Sequence, residues 1–329
     1  MNQVCQRFKA AASILLFLFT ICSAGASGAD KPLRLLYWNI QNGMWAGQGD
    51  NYSRFVEFVD SVSPDICVWC EASSIYRTGL DKSLSKSERY LPSHWNELAL
   101  RYGHKYVYKG GERDNYPQVI TSRYPIENVK RVIGEEPDSV VTHGAGWVKF
   151  DINGNTVNLV CLHTWPQAYA FRVPEERRAA DKAAGGGNKY RRMEMEYICR
   201  NTIESVPEAD RQLWMMMGDF NSRSRLDNRF LGMKADTSAF LCHDYILENT
   251  PYIDVISKKF PRRLMSTTHA PNLRIDYIYC TPPLYNRIIS ARIIRNAFTT
   301  PVRDPKKQSN FYIPSDHLPI VVDFDMSAR

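Results

Sequence analysis

A layered α/β fold in a single domain is what this sequence predicts, on three observations. Short apolar runs alternate with polar turns, and several runs are apolar on both faces, as strands in the middle of a covered sheet are. β-branched and aromatic residues are frequent in them, which at such lengths favours strand over helix. Between them lie segments whose apolar residues recur at helical spacing.

The first segment stands apart from the fold. Arg7 and Lys9 precede an apolar run over residues 11–21, and small residues follow, ending in Ala24-Gly25-Ala26 or Ser27-Gly28-Ala29. This pattern predicts a secretory signal peptide over residues 1–29, cleaved near 26 or 29, and hence a secreted or periplasmic protein. The run is short for a bilayer that needs ~20 apolar residues, so stable membrane insertion is not expected. Bulky Phe19, Thr20 and Ile21 before Cys22 argue against lipid attachment there. Residues 30–329 show no repeat, no Pro/Ser linker and no composition break, so one domain and a monomer are expected. A chain 44% hydrophobic and 23% charged is an ordinary globular one, which excludes disorder. Loss of Arg7 and Lys9, with no acid, changes the formal net charge from +7 to +5, a mild basic balance compatible with an anionic substrate.

In chain order, residues 33–38 read as the first strand. Phe55, Phe58, Val59 and Val62 predict a helix that Pro64 stops. Residues 65–71 read as an extended strand, which places Cys67 and Cys70 on opposite faces and favours packing over a metal or redox motif. Trp95, Leu98, Ala99 and Tyr102 predict a second helix, ended by Gly103. Runs 157–162, 213–217, 275–279 and 318–324 predict further strands. A third helix is expected over about residues 189–203, with Tyr190, Met193 and Tyr197 inward and Arg191, Arg192, Glu194 and Glu196 largely outward. Residues 166–188 carry Arg172, Arg177, Arg178, Lys182 and three glycines, and read either as a mobile basic loop beside the site or as a solvated insertion. Residues 299–309 form a second Pro- and Lys-containing loop. Six cysteines lie beyond the signal (Cys67, Cys70, Cys161, Cys199, Cys242 and Cys280); export permits disulfides, and the sequence leaves their pairing open.

Polar residues interrupt the apolar runs at their ends. Asn39 follows Trp38, Glu71 follows Cys70, His163 follows Leu162, Asp219 and Asn221 follow Met217-Gly218, and Asp316-His317 precedes Leu318. Strand ends gathered at one edge of a sandwich would bring these groups together. Singly, each is as readily a turn former or a buried polar group. Jointly, the oxygen donors Asn39, Glu71 and Asp316 suit Mg²⁺ or Mn²⁺, with Ca²⁺ also compatible and no thiolate or histidine cluster to favour zinc.

The motifs Trp38-Asn39, Glu71, Ser122-Arg123-Tyr124-Pro125-Ile126, Leu162-His163, Gly218-Asp219-Phe220-Asn221, Arg274-Ile275-Asp276-Tyr277-Ile278 and Ser315-Asp316-His317-Leu318-Pro319 occur in an order and spacing that resemble the endonuclease/exonuclease/phosphatase superfamily. The resemblance runs from Leu33 to Phe324. It implies a four-layer α/β/β/α sandwich of two mixed β-sheets flanked by helices, like that of DNase I. It also implies a divalent-metal-dependent phosphoesterase. Glu71 then looks like the principal metal carboxylate, with Asn39 and Asp316 contributing directly or through water. Asp219 matches the residue that orients or deprotonates the attacking water, and Asn221 one that holds that water or a phosphoryl oxygen. His317 matches the histidine at the scissile phosphate, Asp276 the carboxylate that fixes its tautomer, and His163 a second phosphate-contacting histidine. The chain departs from many relatives in having Cys70 before Glu71 and Thr164-Trp165-Pro166 after His163.

The expected substrate is a phosphate ester. Nucleic acid is favoured by the basic balance and by Arg113, Arg172, Arg177, Arg223 and Arg225 near the expected rim. An inositol phosphate or lipid head group is favoured by export and by Trp45, Trp165, Tyr169 and Phe171, which could wall the ligand or simply pack together. A non-catalytic binding protein on the same scaffold is the third reading, and the competent residue types at the matched positions speak against it.

Overall fold

Strand β1 (Leu33–Asn39) buries every residue except Arg34, which is half-buried, as a run apolar on both faces must when it is covered on both sides. In this computed structural model, which describes residues 31–44, 50–72, 95–110, 116–134, 140–303 and 312–327, that cover is a second sheet on one face and helices on the other. The expected signal peptide lies outside the described residues.

The first sheet is assembled from both ends of the chain: β1, β2 (Ile66–Cys70), β3 (Tyr106–Lys109), β4 (Val119–Ser122), β11 (Ile288–Ile293) and β14 (Ile320–Phe324), ordered β11-β14-β1-β2-β4-β3. The second takes the middle: β5 (Glu127–Val132), β6 (Ala145–Ile152), β7 (Asn155–His163), β8 (Leu213–Asp219), β9 (Ile253–Asp254) and β10 (Asp276–Cys280), ordered β5-β6-β7-β8-β10-β9. A two-stranded ribbon, β12 (Val302–Arg303) with β13 (Tyr312–Ile313), stands beside them.

Alternate residues of each strand face opposite layers. Leu35, Tyr37, Val68 and Cys70 meet Leu159, Met215, Met217 and Ile278 between the sheets. Leu36, Trp38, Cys67 and Trp69 face outward onto α1 (Ser53–Val62) and α2 (Trp95–Arg101), whose Phe55, Phe58, Val59, Val62, Trp95, Leu98 and Ala99 are buried as their spacing predicts. On the far side, α4 (Gly186–Arg200) and α5 (Leu241–Asn249) cover Trp147, Val160, Trp214 and Met216. This is the four-layer α/β/β/α sandwich of two mixed sheets. Each large apolar side chain so enclosed contributes about 1.5–3 kcal/mol relative to exposure. Residues from Pro32 onward form one compact unit.

Strand direction gathers the site. β1 and β2 are parallel, and Asn39 lies beside Cys70, the residue before Glu71. β7 and β8 are parallel, with His163 opposite Asp219. β14 and β10 run antiparallel to these pairs, so their N-terminal ends, which carry His317 and Asp276, point the same way. The pairing of β7 with β8 is close enough to require Gly218, because a Cβ there would fall 2.0 Å from the Leu162 carbonyl oxygen.

One expectation is corrected, and two readings that the sequence left open are filled in. α4 turns Arg191 and Glu194 into the protein with Met195, Ile198 and Cys199, while Met193 is 53% exposed. The buried charges are held by backbone partners described below. Residues 166–188 are a folded and mostly exposed insertion, in keeping with the solvated alternative, with α3 (Arg178–Ala183) tied back through Asp181 to the Ala170 amide, 2.7 Å, and Gly187 to the Ala168 carbonyl, 3.0 Å. All six cysteines are buried free thiols: Cys70, Cys161 and Cys280 lie between the sheets, Cys199 and Cys242 on the buried faces of α4 and α5, and Cys67 on the opposite face of β2 from Cys70, against α1 and α2.

Candidate active site

The end of β1 enters a single left-handed turn. Gln41, Asn42, Gly43 and Met44 have φ of 39°, 53°, 65° and 51°, and Glu71 at the end of β2 has φ 51°. Such a backbone costs roughly 1–2 kcal/mol per non-glycine residue and needs compensation. Glu71 supplies it: its carbonyl accepts the Gly43 amide at 2.7 Å, and its Oε2 accepts the Asn42 amide at 3.0 Å. Strain here fixes the direction of the Glu71 carboxylate.

Asn39 is fully buried between two acids. Its Nδ2 donates to Asp219 Oδ2 at 3.0 Å and to Glu71 Oε1 at 3.3 Å, while its Oδ1 accepts the Gln41 amide at 3.0 Å. The amide therefore presents donors, not its oxygen, to the cleft and aligns the two carboxylates. Asp219 also accepts the Asn221 amide through Oδ1 at 2.9 Å. Asn221, itself at φ 46°, donates through Nδ2 to the Thr164 carbonyl at 3.0 Å, next to His163.

Across the sheets, His317 Nδ1 is 2.8 Å from Asp276 Oδ2, and the Tyr37 hydroxyl donates to Asp276 Oδ1 at 2.7 Å. His317 Nε2 lies 3.7 Å from Asp219 Oδ2 and 3.7 Å from Asp316 Oδ1; His163 Nε2 lies 3.7 Å from the same Asp219 oxygen. The His317 backbone is fixed as tightly, since its carbonyl accepts the Trp38 indole and its amide donates to Ser315 Oγ. Arg274 of the Arg-Ile-Asp motif is buried against Asp254, with 2.8 and 2.7 Å bonds, and against Asp227, which anchors the start of β10 away from the cleft.

The two histidines differ electrically. Burial is the strongest influence on His317 and works to lower its pKa, but Asp276, Asp316 and Asp219 together outweigh it and raise the pKa well above the ordinary imidazole value. Burial, with the neighbouring His143 and His317, drives His163 well below it. Burial also raises the carboxyl pKa of Asp219, Glu71 and Asp316, and mutual repulsion adds to this at Glu71 and Asp219.

All eight predicted site residues thus lie at one edge of the sandwich. Glu71, His163 and Asp219 offer donor atoms within 4.8 Å of one another, and so do Asp219, Asp276 and His317. Sequence reasoning missed Tyr37, which reads as a core aromatic in an apolar run, and His143, whose ring stacks on His163 at 4.5 Å and 28°. Tyr116 meets the same pair edge-on, and Trp165 continues the wall through Phe171 at 5.0 Å. Of the remaining aromatic and basic residues expected around the site, Trp45 and Arg113 lie outside the described residues. Arg225 is paired with Asp244 at 2.7 Å and Arg223 donates to the Asn272 carbonyl at 3.1 Å, whereas Arg172 rests on the face of Phe171.

The donor set fits a hard divalent cation. Burial raises the pKa of Glu71 and Asp316, a penalty that a cation would offset, and in the turn whose amide Glu71 accepts, the buried Asn42 Oδ1 has no hydrogen-bond partner among the described residues.

Residues 36–317 match the sequence profile of the endonuclease/exonuclease/phosphatase family. The chain belongs to that family. As a member it is a metal-dependent hydrolase of phosphoric esters, consistent with the oxygen-rich cleft. Among solved structures it is similar in fold to an AP endonuclease from Archaeoglobus fulgidus, with TM-score 0.58 and 20% identity over 89% of this chain and 100% of that one. A 3'-5' exonuclease from Neisseria meningitidis gives TM-score 0.58 and 16% identity over 89% and 100% of the two chains. The human nocturnin catalytic domain gives 0.52 and 13% over 89% and 93%. A search of curated protein sequences finds no match.

Proposed function

We propose that this family member hydrolyses phosphodiester bonds of nucleic acid with Mg²⁺ or Mn²⁺, by in-line attack of water. The observation that carries the chemistry is the position of Asp219 Oδ2, held by Asn39 and 3.7 Å from both His163 and His317. Glu71 and Asp316 would hold the cation; the bound ion would neutralise charge on the phosphoryl group as a Lewis acid. Asp219, whose burial raises its proton affinity, orients the attacking water and takes its proton. His317, kept cationic by Asp276, directs Nε2–H at the phosphoryl oxygens, and neutral His163 supplies a second contact. Asn221 fixes the Thr164 turn on which His163 sits.

A nucleic-acid substrate is supported by the mild basic balance, +5 once Arg7 and Lys9 leave with the signal, by the Trp165–Phe171 wall on which a base can stack, and by the nuclease names of two structural neighbours. A small or lipid-linked ester is the second reading, supported by the internal neutralisation of Arg225 by Asp244 at the expected rim. The signal-like residues 1–29 support export of the protein, checked by its presence in the culture medium or periplasmic fraction. The deciding experiment screens single- and double-stranded nucleic acid, inositol phosphates and phospholipid head groups with added Mg²⁺. Nucleic acid should be cleaved, and chelation should abolish cleavage. Glu71→Gln should shift the Mg²⁺ titration to higher concentration; superimposable titrations would remove Glu71 from the metal site.

A further inference from the structure

Glu194 is fully buried on α4, outside the cleft, and its two oxygens are spent on backbone. Oε1 accepts the Thr142 amide at 2.8 Å and Oε2 the Trp165 amide at 2.8 Å. Thr142 precedes His143, and Trp165 is two residues beyond His163. One carboxylate therefore bridges the two chain segments that carry the stacked imidazoles. Arg191, one turn earlier, grips the same segment from its other side, donating to the carbonyls of Trp165 at 2.7 Å and Gln167 at 3.0 Å.

A buried carboxylate is an expensive way to fill space. An apolar side chain at this position would pack against Met195 and Ile198 without a desolvation cost, but would leave two amides unpaired and the two histidine segments free to slide relative to each other. We propose that Glu194 is a positioning residue for the hydrolysis inferred above: it holds His143 and His163 in register as one wall of the phosphoryl site, acting through the Thr142 and Trp165 amides. His143 thereby becomes a structural partner of a catalytic ring and not a bystander in a loop.

The test compares wild type, Glu194→Gln and Ile198→Val, the last a control that thins the same helix face without touching the clamp. Gln keeps the shape but offers an acceptor to only one amide. Folding is checked by circular dichroism and thermal melting, and the histidine ring signals are followed by NMR in the protein without substrate. Glu194→Gln should fold, lower kcat by ~10-fold or more with KM within ~2-fold, in keeping with the sensitivity of catalysis to displacements of about 1 Å. The His143 and His163 ring resonances should move or broaden while those of His317 stay, and Ile198→Val should change neither kcat nor the rings. Unchanged rings in Glu194→Gln, or an unchanged kcat, would overturn the proposal. Should Glu194→Gln not fold, Glu194→Asp, which keeps the charge but retracts both oxygens, gives the same readouts. Moved rings in a protein whose wild type cleaves no phosphate ester would sink the hydrolase reading alone and leave the clamp standing.

Discussion

His317 and His163 are each 3.7 Å from the same oxygen of Asp219, yet their surroundings shift their pKa values in opposite directions. Asp276 stands 2.8 Å from His317 Nδ1 and Asp316 3.7 Å from its Nε2; against His163 stacks another imidazole, 4.5 Å away with the ring planes 28° apart. Burial penalises the cation in both places. Only on the carboxylate side is that penalty exceeded. The comparison teaches that residue type leaves the role open: one ring's surroundings favour the cation, which can meet developing negative charge, and the other's favour the neutral hydrogen-bonding form.

Removing each ring gives the largest test of the comparison. His317→Ala should lower kcat by ~10²-fold or more, the scale of a positioned acid or charge-stabilising group. His163→Ala should cost less, and equal losses would erase the distinction drawn between the two sides. Asp276→Asn should have a smaller effect on kcat and a diagnostic one on pH. Asp276 raises the His317 pKa, so its neutralisation lets the imidazolium lose its proton at lower pH. The alkaline limb of the rate profile should therefore move toward acid, and a limb that stays in place would show that another group sets it. Smallest is Tyr37→Phe, which removes the 2.7 Å bond to Asp276 Oδ1 from a buried site. A loss of about 1–2 kcal/mol in urea denaturation is expected, with turnover reduced by less than in Asp276→Asn.

The fold was legible because the strands are long enough, and apolar enough on both faces, to declare themselves. The site was legible for a related reason: Asn39, Glu71, His163, Asp219 and His317 break apolar runs at their ends, where directionality of the strands brings them to one edge. What escaped lies where that frame fails. Tyr37 sits inside a run and its hydroxyl reaches across the sandwich, which no local pattern reports. His143 occupies a glycine-containing loop with no apolar period around it. Arg191 and Glu194 read as solvent-facing because they are charged, although Gly187, Arg191, Glu194 and Ile198 share one helical stripe that carries them inward. Their charges are tolerated because backbone amides and carbonyls consume them, and those partners are distant in sequence. Asn39 has the composition of a ligand, but only the three-dimensional placement of the Gln41 amide shows which end of its side chain meets the cleft.

Binding of a single cation between the end of β2 and the start of β14 is tested most directly by the anomalous scattering of a Mn²⁺-soaked crystal. One strong peak bounded by the carboxylates of Glu71 and Asp316, lost in Glu71→Gln, is the result the geometry predicts. A peak bound elsewhere, or one unaffected by that substitution, would contradict it.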